Sequence, residues 1–308
     1  MRRPILCFFL CFLTIGLGLV SVFSQRFFNV DLDRGFVETS EITIRIPSRK
    51  PIFVISHNQD RLVSFRIVID SLVEFEDRNL NGRYDSGEAL NIVDLRRTRW
   101  YLNYSIISRN GTTLLLLDLK PEKTTGKQGY EQRSMVPLHI RLLISSSKMN
   151  VRGLTLNGTK EVLVNLTFSR WRWHSSKSKL ALIIRYGAAR GSVGRHCSGK
   201  KDSWTYIRMQ SEATLMSIAF SADAEFDDRT ESINIDLDSD SAKLVLPRYE
   251  EYGEAIFIFG LKIFPTGTVF SASETYAMAM SIAIVVGLSL LCSYLSNREL
   301  KKITKVIS

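Results

Sequence analysis

Through the middle of the chain, apolar side chains recur at every second position. The pattern covers Ile42, Ile44 and Ile46; Phe65, Ile67 and Ile69, followed by Val73 and Phe75; Leu138, Ile140 and Leu142, before Leu143 and Ile144 blur the alternation; and Ile233, Ile235 and Leu237. In an extended chain successive side chains point to opposite faces, so each run predicts a strand with one apolar face. No stretch in this region carries a helical stripe, and clusters of Asn, Gly, Ser and Asp separate the runs. The fold class expected is therefore all-β, an antiparallel sandwich. About 250 residues fit one large sandwich or two small ones. Polar stretches at Pro121–Arg133 and Arg185–Ser203 break the alternation and read as boundaries or long loops. A division near Lys120–Arg133 gives two expected β-domains, 25–125 and 126–274. The segments starting at Ser64 and Ser217 both end an alternating strand in Glu-Phe-acidic-Asp-Arg; two related domains, or two amphipathic strands entering acidic loops, would each produce this.

The ends of the chain read differently. Arg2 and Arg3 precede an uncharged run from Pro4 to Gln25 dominated by Leu, Phe, Ile and Val, the layout of a secretory signal. Val22 and Ser24 suit the minus-three and minus-one positions of a cut before Gln25, so residues 1–24 are an expected signal peptide, with an uncleaved anchor as the alternative. From Thr275 to Asn297 there are again no charges, and a helix of that length spans roughly 34 Å, enough to cross a bilayer. Tyr276 and Tyr294 lie near its ends, and Arg298, Lys301, Lys302 and Lys305 follow. Basic residues favour the cytoplasmic side. The expected topology is single-pass type I: a membrane helix at 275–297, a cytoplasmic tail at 298–308, and everything between the two apolar segments exported. Ala279, Ala283 and Gly287 recur every four residues on that helix, which either allows homo-association or reflects the ordinary abundance of small residues in membrane helices.

Composition adds to this picture. Cys7 and Cys11 fall in the signal and Cys292 in the span, leaving Cys197 alone in the exported part; it is either a buried inert thiol or a bridge to another chain. The net charge is +10, of which Arg2 and Arg3 carry two and the tail three, leaving +5 for the exported region. That balance does not argue for nucleic acid, though a basic cluster could meet acidic glycans or lipid headgroups. Asn-x-Ser/Thr acceptors at Asn103, Asn110, Asn157 and Asn165 all fall in the exported segment. Around Asn165, the alternation of Val162, Val164, Leu166 and Phe168 predicts that Asn165 and Thr167 face solvent.

The sharpest chemistry lies at Asp77–Glu88, DRNLNGRYDSGE. A hard cation takes six to eight oxygens, which short oxygen side chains alternating along a tight loop and a longer Glu at its end can supply. Asp77, Asn79, Asn81, Asp85 and Glu88 occupy the side-chain ligand positions, the carbonyl of Arg83 would be a further ligand, and Gly82 stands at the sharp turn. These residues resemble the loop of EF-hand and dockerin-type proteins. The flanks differ from that family: Phe65–Phe75 before the loop and Leu90 and Ile92 after it alternate as strands, so the opening movement of helix-paired sensors is not implied. The expected cofactor is a structural calcium ion of weak affinity, ~10⁻⁴ to 10⁻³ M, as in extracellular modules. An Asp/Asn/Gly-rich hairpin without a metal is the alternative.

Two charged clusters remain. Asp223, Glu225, Asp227, Asp228, Glu231, Asp236, Asp238 and Asp240 have no loop spacing and read as a solvated face or a weak calcium or mineral contact. Arg170, Trp171, Arg172, Trp173, His174, Lys177 and Lys179 read as a strand with indoles on one face and cations on the other, built either for a buried Trp pair or for an acidic glycan. His57, His139, His174 and His196 show no zinc spacing, and there is no GxSxG elbow, phosphate-cradling loop or dinucleotide fingerprint. The segment VEFEDRNLNGRYDSGEALNIVDL, followed by Trp100, resembles uncharacterised secreted or membrane proteins of marine invertebrates, some of them found in coral skeletal matrix. The expected function is a non-enzymatic cell-surface glycoprotein acting in matrix contact or adhesion. A biomineral matrix protein, an exported hydrolase with a scaffold calcium, and an accessory subunit of a membrane complex are the alternatives.

Overall fold

A computed structural model describes residues 27–265, apart from 110, 123–135, 152–153, 170, 192–193, 202, 212–213, 227–228 and 250–253. The expected signal peptide, the membrane helix with Ala279, Ala283 and Gly287, the tail, and Asn110 lie outside the described residues. Among those described, no helix is long and apolar enough to cross a membrane.

The periodicity in the sequence becomes strands almost throughout. The first six are β1 (Asn29–Asp31), β2 (Phe36–Glu38), β3 (Ile42–Arg45), β4 (Ile52–His57), β5 (Asp60–Phe75) and β6 (Ala89–Asp94). Six more follow: β7 (Trp100–Arg109), β8 (Thr112–Pro121), β9 (Leu138–Ser145), β10 (Lys148–Val151), β11 (Leu154–Asn157) and β12 (Glu161–Ser169). The last nine are β13 (Lys179–Arg190), β14 (Gly194–Lys201), β15 (Trp204–Gln210), β16 (Thr214–Ser221), β17 (Asp223–Phe226), β18 (Arg229–Ser232), β19 (Asn234–Leu237), β20 (Ser241–Leu246) and β21 (Glu254–Pro265).

These strands build two large antiparallel sheets and a separate two-stranded one, the β10–β11 hairpin. Sheet one runs β1-β2-β3-β4-β5-β13-β20-β19, with β6 also on β5. The long strand β5 pairs with β4 through its first half and with β6 through its second. Sheet two runs β14-β15-β16-β21-β12-β9-β8-β7, and the β17–β18 hairpin joins it at β21. Inward side chains of both sheets, among them Ile44, Phe53, Phe65 and Leu182 from one and Leu117, Ile140, Val164 and Phe259 from the other, meet in one core. This is a β-sandwich: each sheet is apolar on one face and buries it against the other.

The expected division into domains 25–125 and 126–274 is not present. β5 pairs with β13 from Ser64 to Phe75, and β8 pairs with β9 directly across the expected boundary. Both sheets draw strands from each side of that point, so neither half can close a core alone, and the described residues form one compact unit. The polar stretch Arg185–Ser203 is also not one long loop: it contains the end of β13 and all of β14. The similar segments at Ser64 and Ser217 lie in opposite sheets, one as the continuous β5 and the other broken into β16 and β17.

A smaller apolar cluster covers part of the outer face of sheet two, where Leu154 and Leu156 of the β10–β11 hairpin meet Leu163, Ala219 and Ile258. Contact is close enough that a Cβ on Gly260 would lie 2.6 Å from a Leu154 methyl, which explains glycine at that point of a central strand.

Candidate metal centre

The loop between β5 and β6 is positioned by what lies beneath it. Leu72 of β5 points into the main core, whereas Val73 and Phe75 join Ala181 and Val245 in a patch on the outer face of sheet one. Past Phe75 the sequence turns polar and leaves the sheet. Tyr84 then folds back onto Phe75, ring centroids 5.3 Å apart, so the loop covers that patch. Gly82 has φ +74, a conformation that costs glycine little and other residues more, and it stands at the sharp turn expected from the sequence.

The five expected side chains come together in one hydrogen-bonded network. Asp77 Oδ2 accepts the Gly82 N–H at 2.9 Å, and Asn79 Oδ1 and Asn81 Oδ1 accept the N–H groups of Asn81 and Arg83 at 3.1 and 2.7 Å. The side-chain amides of Asn79 and Asn81 both donate to Asp85 Oδ2, at 2.8 and 2.6 Å. Glu88 closes the loop: its two carboxylate oxygens accept the N–H groups of Arg78 and Asp85 at 3.0 and 3.1 Å. The Arg83 side chain is drawn away to Asp236 of β19 at 3.4 Å. Asn234 of the same strand donates to the Gly82 carbonyl at 2.8 Å, and Lys179 of β13 donates to Asp77 Oδ2 at 2.7 Å. Two further strands of sheet one therefore hold the loop.

The Asp77 side chain is 5% exposed, and its second oxygen, Oδ1, is buried without a hydrogen-bond partner. A buried carboxylate oxygen left unpaired is costly, and a cation is one way to satisfy it. Lys179 holds the Asp77 carboxyl below the usual range, and the Asn79 and Asn81 amides do the same for Asp85. With Glu88, three carboxylates and two amide oxygens stand in one loop, which fits calcium better than a softer metal. Among the described residues no group of three His, Cys, Asp or Glu is placed to hold a metal, so Asp77, Asp85 and Glu88 do not converge on one point in this arrangement, and holding an ion would require their carboxylates to turn inward from the backbone N–H groups and amides they now accept from. Asp77, Asn79, Asn81, Asp85, Glu88 and the Arg83 carbonyl are the groups that would hold the ion.

The Trp-rich segment is not the strand expected, but its two tryptophans do pack as a pair against the core. Residues 171–178 connect β12 to β13 and form no strand. Trp171 is buried and Trp173 packs against the same core, edge-on to Tyr249 at 5.4 Å, with Arg248 over its ring at 5.7 Å. The indoles thus plug the sandwich and do not line a free binding face. Their anchor is Glu74, which the sequence reading missed. It is fully buried and accepts hydrogen bonds from Trp171 Nε1 at 3.0 Å, the His174 N–H at 2.6 Å and Ser178 Oγ at 2.6 Å; His174 Nδ1 lies 2.7 Å away. Its sequence signal was a carboxylate in an otherwise apolar strand, on the same face as Leu72.

The remaining expected sites are scattered. Asn103 is exposed on β7, and Asn157 is exposed at the end of β11 with its amide donating to Glu161. Asn165 and Thr167 lie on the face of β12 opposite the core, as the alternation with Val164, Leu166 and Phe168 implies, but that face is only half open: Asn165 is half-buried and its Oδ1 is buried without a partner. Cys197 lies on the edge strand β14. In the acidic run, Glu231 pairs with Arg229, Asp236 and Asp238 with Lys243, and Asp240 with Arg185.

Fold and site together define an antiparallel β-sandwich with the hydrogen-bonded Asp77–Glu88 loop carried on the β5–β6 connection. No protein-family profile matches the chain, and no curated protein matches it in sequence. Among solved structures the chain is similar to a protein from the human microbiome described as a kojibiose phosphorylase, at 9% identity and a TM-score of 0.33, over 83% of this chain and 34% of that one. The chain spans about a third of that protein's length, and the likeness transfers no function.

Proposed function

We propose that this chain is a non-enzymatic, single-pass cell-surface glycoprotein whose sandwich is stiffened by one structural calcium ion and acts in matrix contact or adhesion. The buried, unpartnered Asp77 Oδ1, inside a network that joins all five ligand side chains, is the observation that carries it. The ion would tie the loop to sheet one and keep the apolar patch under Tyr84 covered. Weak affinity suits the exterior, where calcium is abundant enough to stay bound. The membrane anchor and export rest on the uncharged segments and the sequons of the sequence. Matrix contact is favoured over mineral contact because much of the acidic run is already ion-paired.

The test is binding of cells displaying the full chain to an extracellular-matrix-coated surface. Binding is expected to fall on chelation and in the Asp77→Ala variant at equal surface level. Equal binding with and without calcium contradicts the reading.

A further inference from the structure

We propose that Asn103 carries an N-glycan that guards the edge of sheet two against pairing with a second copy of this chain. The proposal rests on the exported reading above, because only an exported chain meets the glycosylation machinery.

An open sheet has two edges, and each presents unpaired backbone groups that another chain can use. Among the described residues, three of the four strands that end the two main strand paths carry their own protection, and the strands that end the branches from those paths, β6 and β18, are short, with Asp94 in one and Arg229 and Glu231 in the other. β1 has three residues and ends in Asp31, β19 has four and contains Asp236, and β14 carries Arg195, Lys200 and Lys201. Short length and charge are both common edge defences.

β7 has neither. It runs for ten residues, and from Trp100 to Ser108 it holds no charge and no proline. Among the described residues it pairs only with β8. Four of the ten exposed large hydrophobic side chains described lie on it: Tyr101, Tyr104, Ile106 and Ile107. A long, uncharged, apolar edge is a template for strand pairing.

What β7 does carry is Asn103-Tyr104-Ser105, an acceptor for an N-linked sugar near the middle of the strand. Asn103 is exposed, and its Oδ1 accepts the Tyr104 backbone N–H at 2.8 Å. An edge strand leaves alternate N–H groups without a ladder partner, and here the asparagine's own side chain takes one of them. That side chain therefore lies along the edge. In the modification, Nδ2 loses a proton and bonds the anomeric carbon of an oligosaccharide delivered by a lipid pyrophosphate donor, with the lipid pyrophosphate leaving. Oδ1 is untouched and keeps its hydrogen bond, so the sugar stands in the path of an approaching strand. Asn110-Gly111-Thr112, which follows β7 in the sequence, is a second acceptor.

The test compares the full chain, made in cells with a secretory route, with Ser105→Ala and with Ser105→Ala/Ile107→Lys. Ser105→Ala removes the acceptor while keeping Asn103. Peptide masses with and without glycosidase read occupancy at each sequon, and light scattering after size exclusion reads association. The expected result is a sugar on Asn103, at least a doubling of particle mass in Ser105→Ala, and return to the parent mass when Ile107→Lys places a charge on the edge. A bare Asn103 beside other occupied sequons overturns the proposal while leaving export intact. So does Ser105→Ala at the parent mass, or failure of Ile107→Lys to reverse the association. If all four sequons are bare, the exported reading falls and this inference falls with it.

Discussion

At the scale of single residues, two charged side chains govern the site and its support. Lys179 donates to Asp77 Oδ2 at 2.7 Å, so a divalent cation held by Asp77 would share that carboxylate with an ammonium group. Like charges this close oppose each other even when partly screened. Lys179→Met is expected to tighten calcium binding about fivefold, roughly 1 kcal/mol, as read by calorimetric titration; an unchanged Kd would show that Lys179 moves aside at no cost. Glu74 gives a pH signature. Burial alone pushes its carboxyl up, but donations from Ser178, His174 and Trp171 together hold it below the usual range. A carboxyl depressed in the folded state contributes its stability above the unfolded value of about 4.3 and loses it as pH falls through the folded value. Glu74→Gln should therefore cost about 2–4 kcal/mol at pH 7, because it keeps the shape but not the charge that three donors face. The gap to the parent should narrow below about pH 4. Thermal unfolding at neutral and acid pH checks this, and an equal gap at both would rule out the ionised carboxylate as the cause.

At the scale of elements, the β5–β6 connection is a loop whose shape its sequence specifies and whose position tertiary contacts fix. Gly82→Ala would place a Cβ 3.3 Å from Asn234 Nδ2 at φ +74, and the backbone strain is expected to cost about 1 kcal/mol with or without calcium. Denaturant unfolding of the full chain measures it. Strands with one buried face could be read from the sequence because period two follows directly from burial: Ile42, Ile44, Val164 and Leu166 are all buried as their spacing implies. Edge strands were illegible for the converse reason. β14, GRHCSGKK, has no apolar face to reveal it. β6, by contrast, was legible as a strand from the alternation of Leu90 and Ile92, although both side chains are exposed and the alternation there does not mark a buried face. Trp171 and Trp173 alternate like a strand but plug the core from a connection, because Glu74 and Tyr249 supply hydrogen-bond partners there. No spacing in the chain encodes a partner about a hundred residues away.

For the whole molecule, the order of strands matters more than their number. β5 has β4 and β6 on one side and β13 on the other, and β13 lies over a hundred residues downstream. Residues 25–125 alone would leave the Glu74-bearing half of β5 without that partner and the inner face of sheet one without β9, β12 and β21. Such a fragment is expected to lack fixed tertiary structure, with collapsed amide dispersion in NMR; a dispersed spectrum would restore the two-domain division. The loop connects this architecture to function, since it is tied to β13 and β19 as well as to its own hairpin. A cation bound there should stabilise the sandwich as a whole. The most direct test is thermal unfolding of the full chain in millimolar calcium and in chelator, beside an Asp77→Ala/Glu88→Gln variant. The account predicts a midpoint several degrees higher with calcium in the parent and no shift in the variant. Equal midpoints in the parent under both conditions, or the same shift in both proteins, would contradict a structural calcium site in this loop.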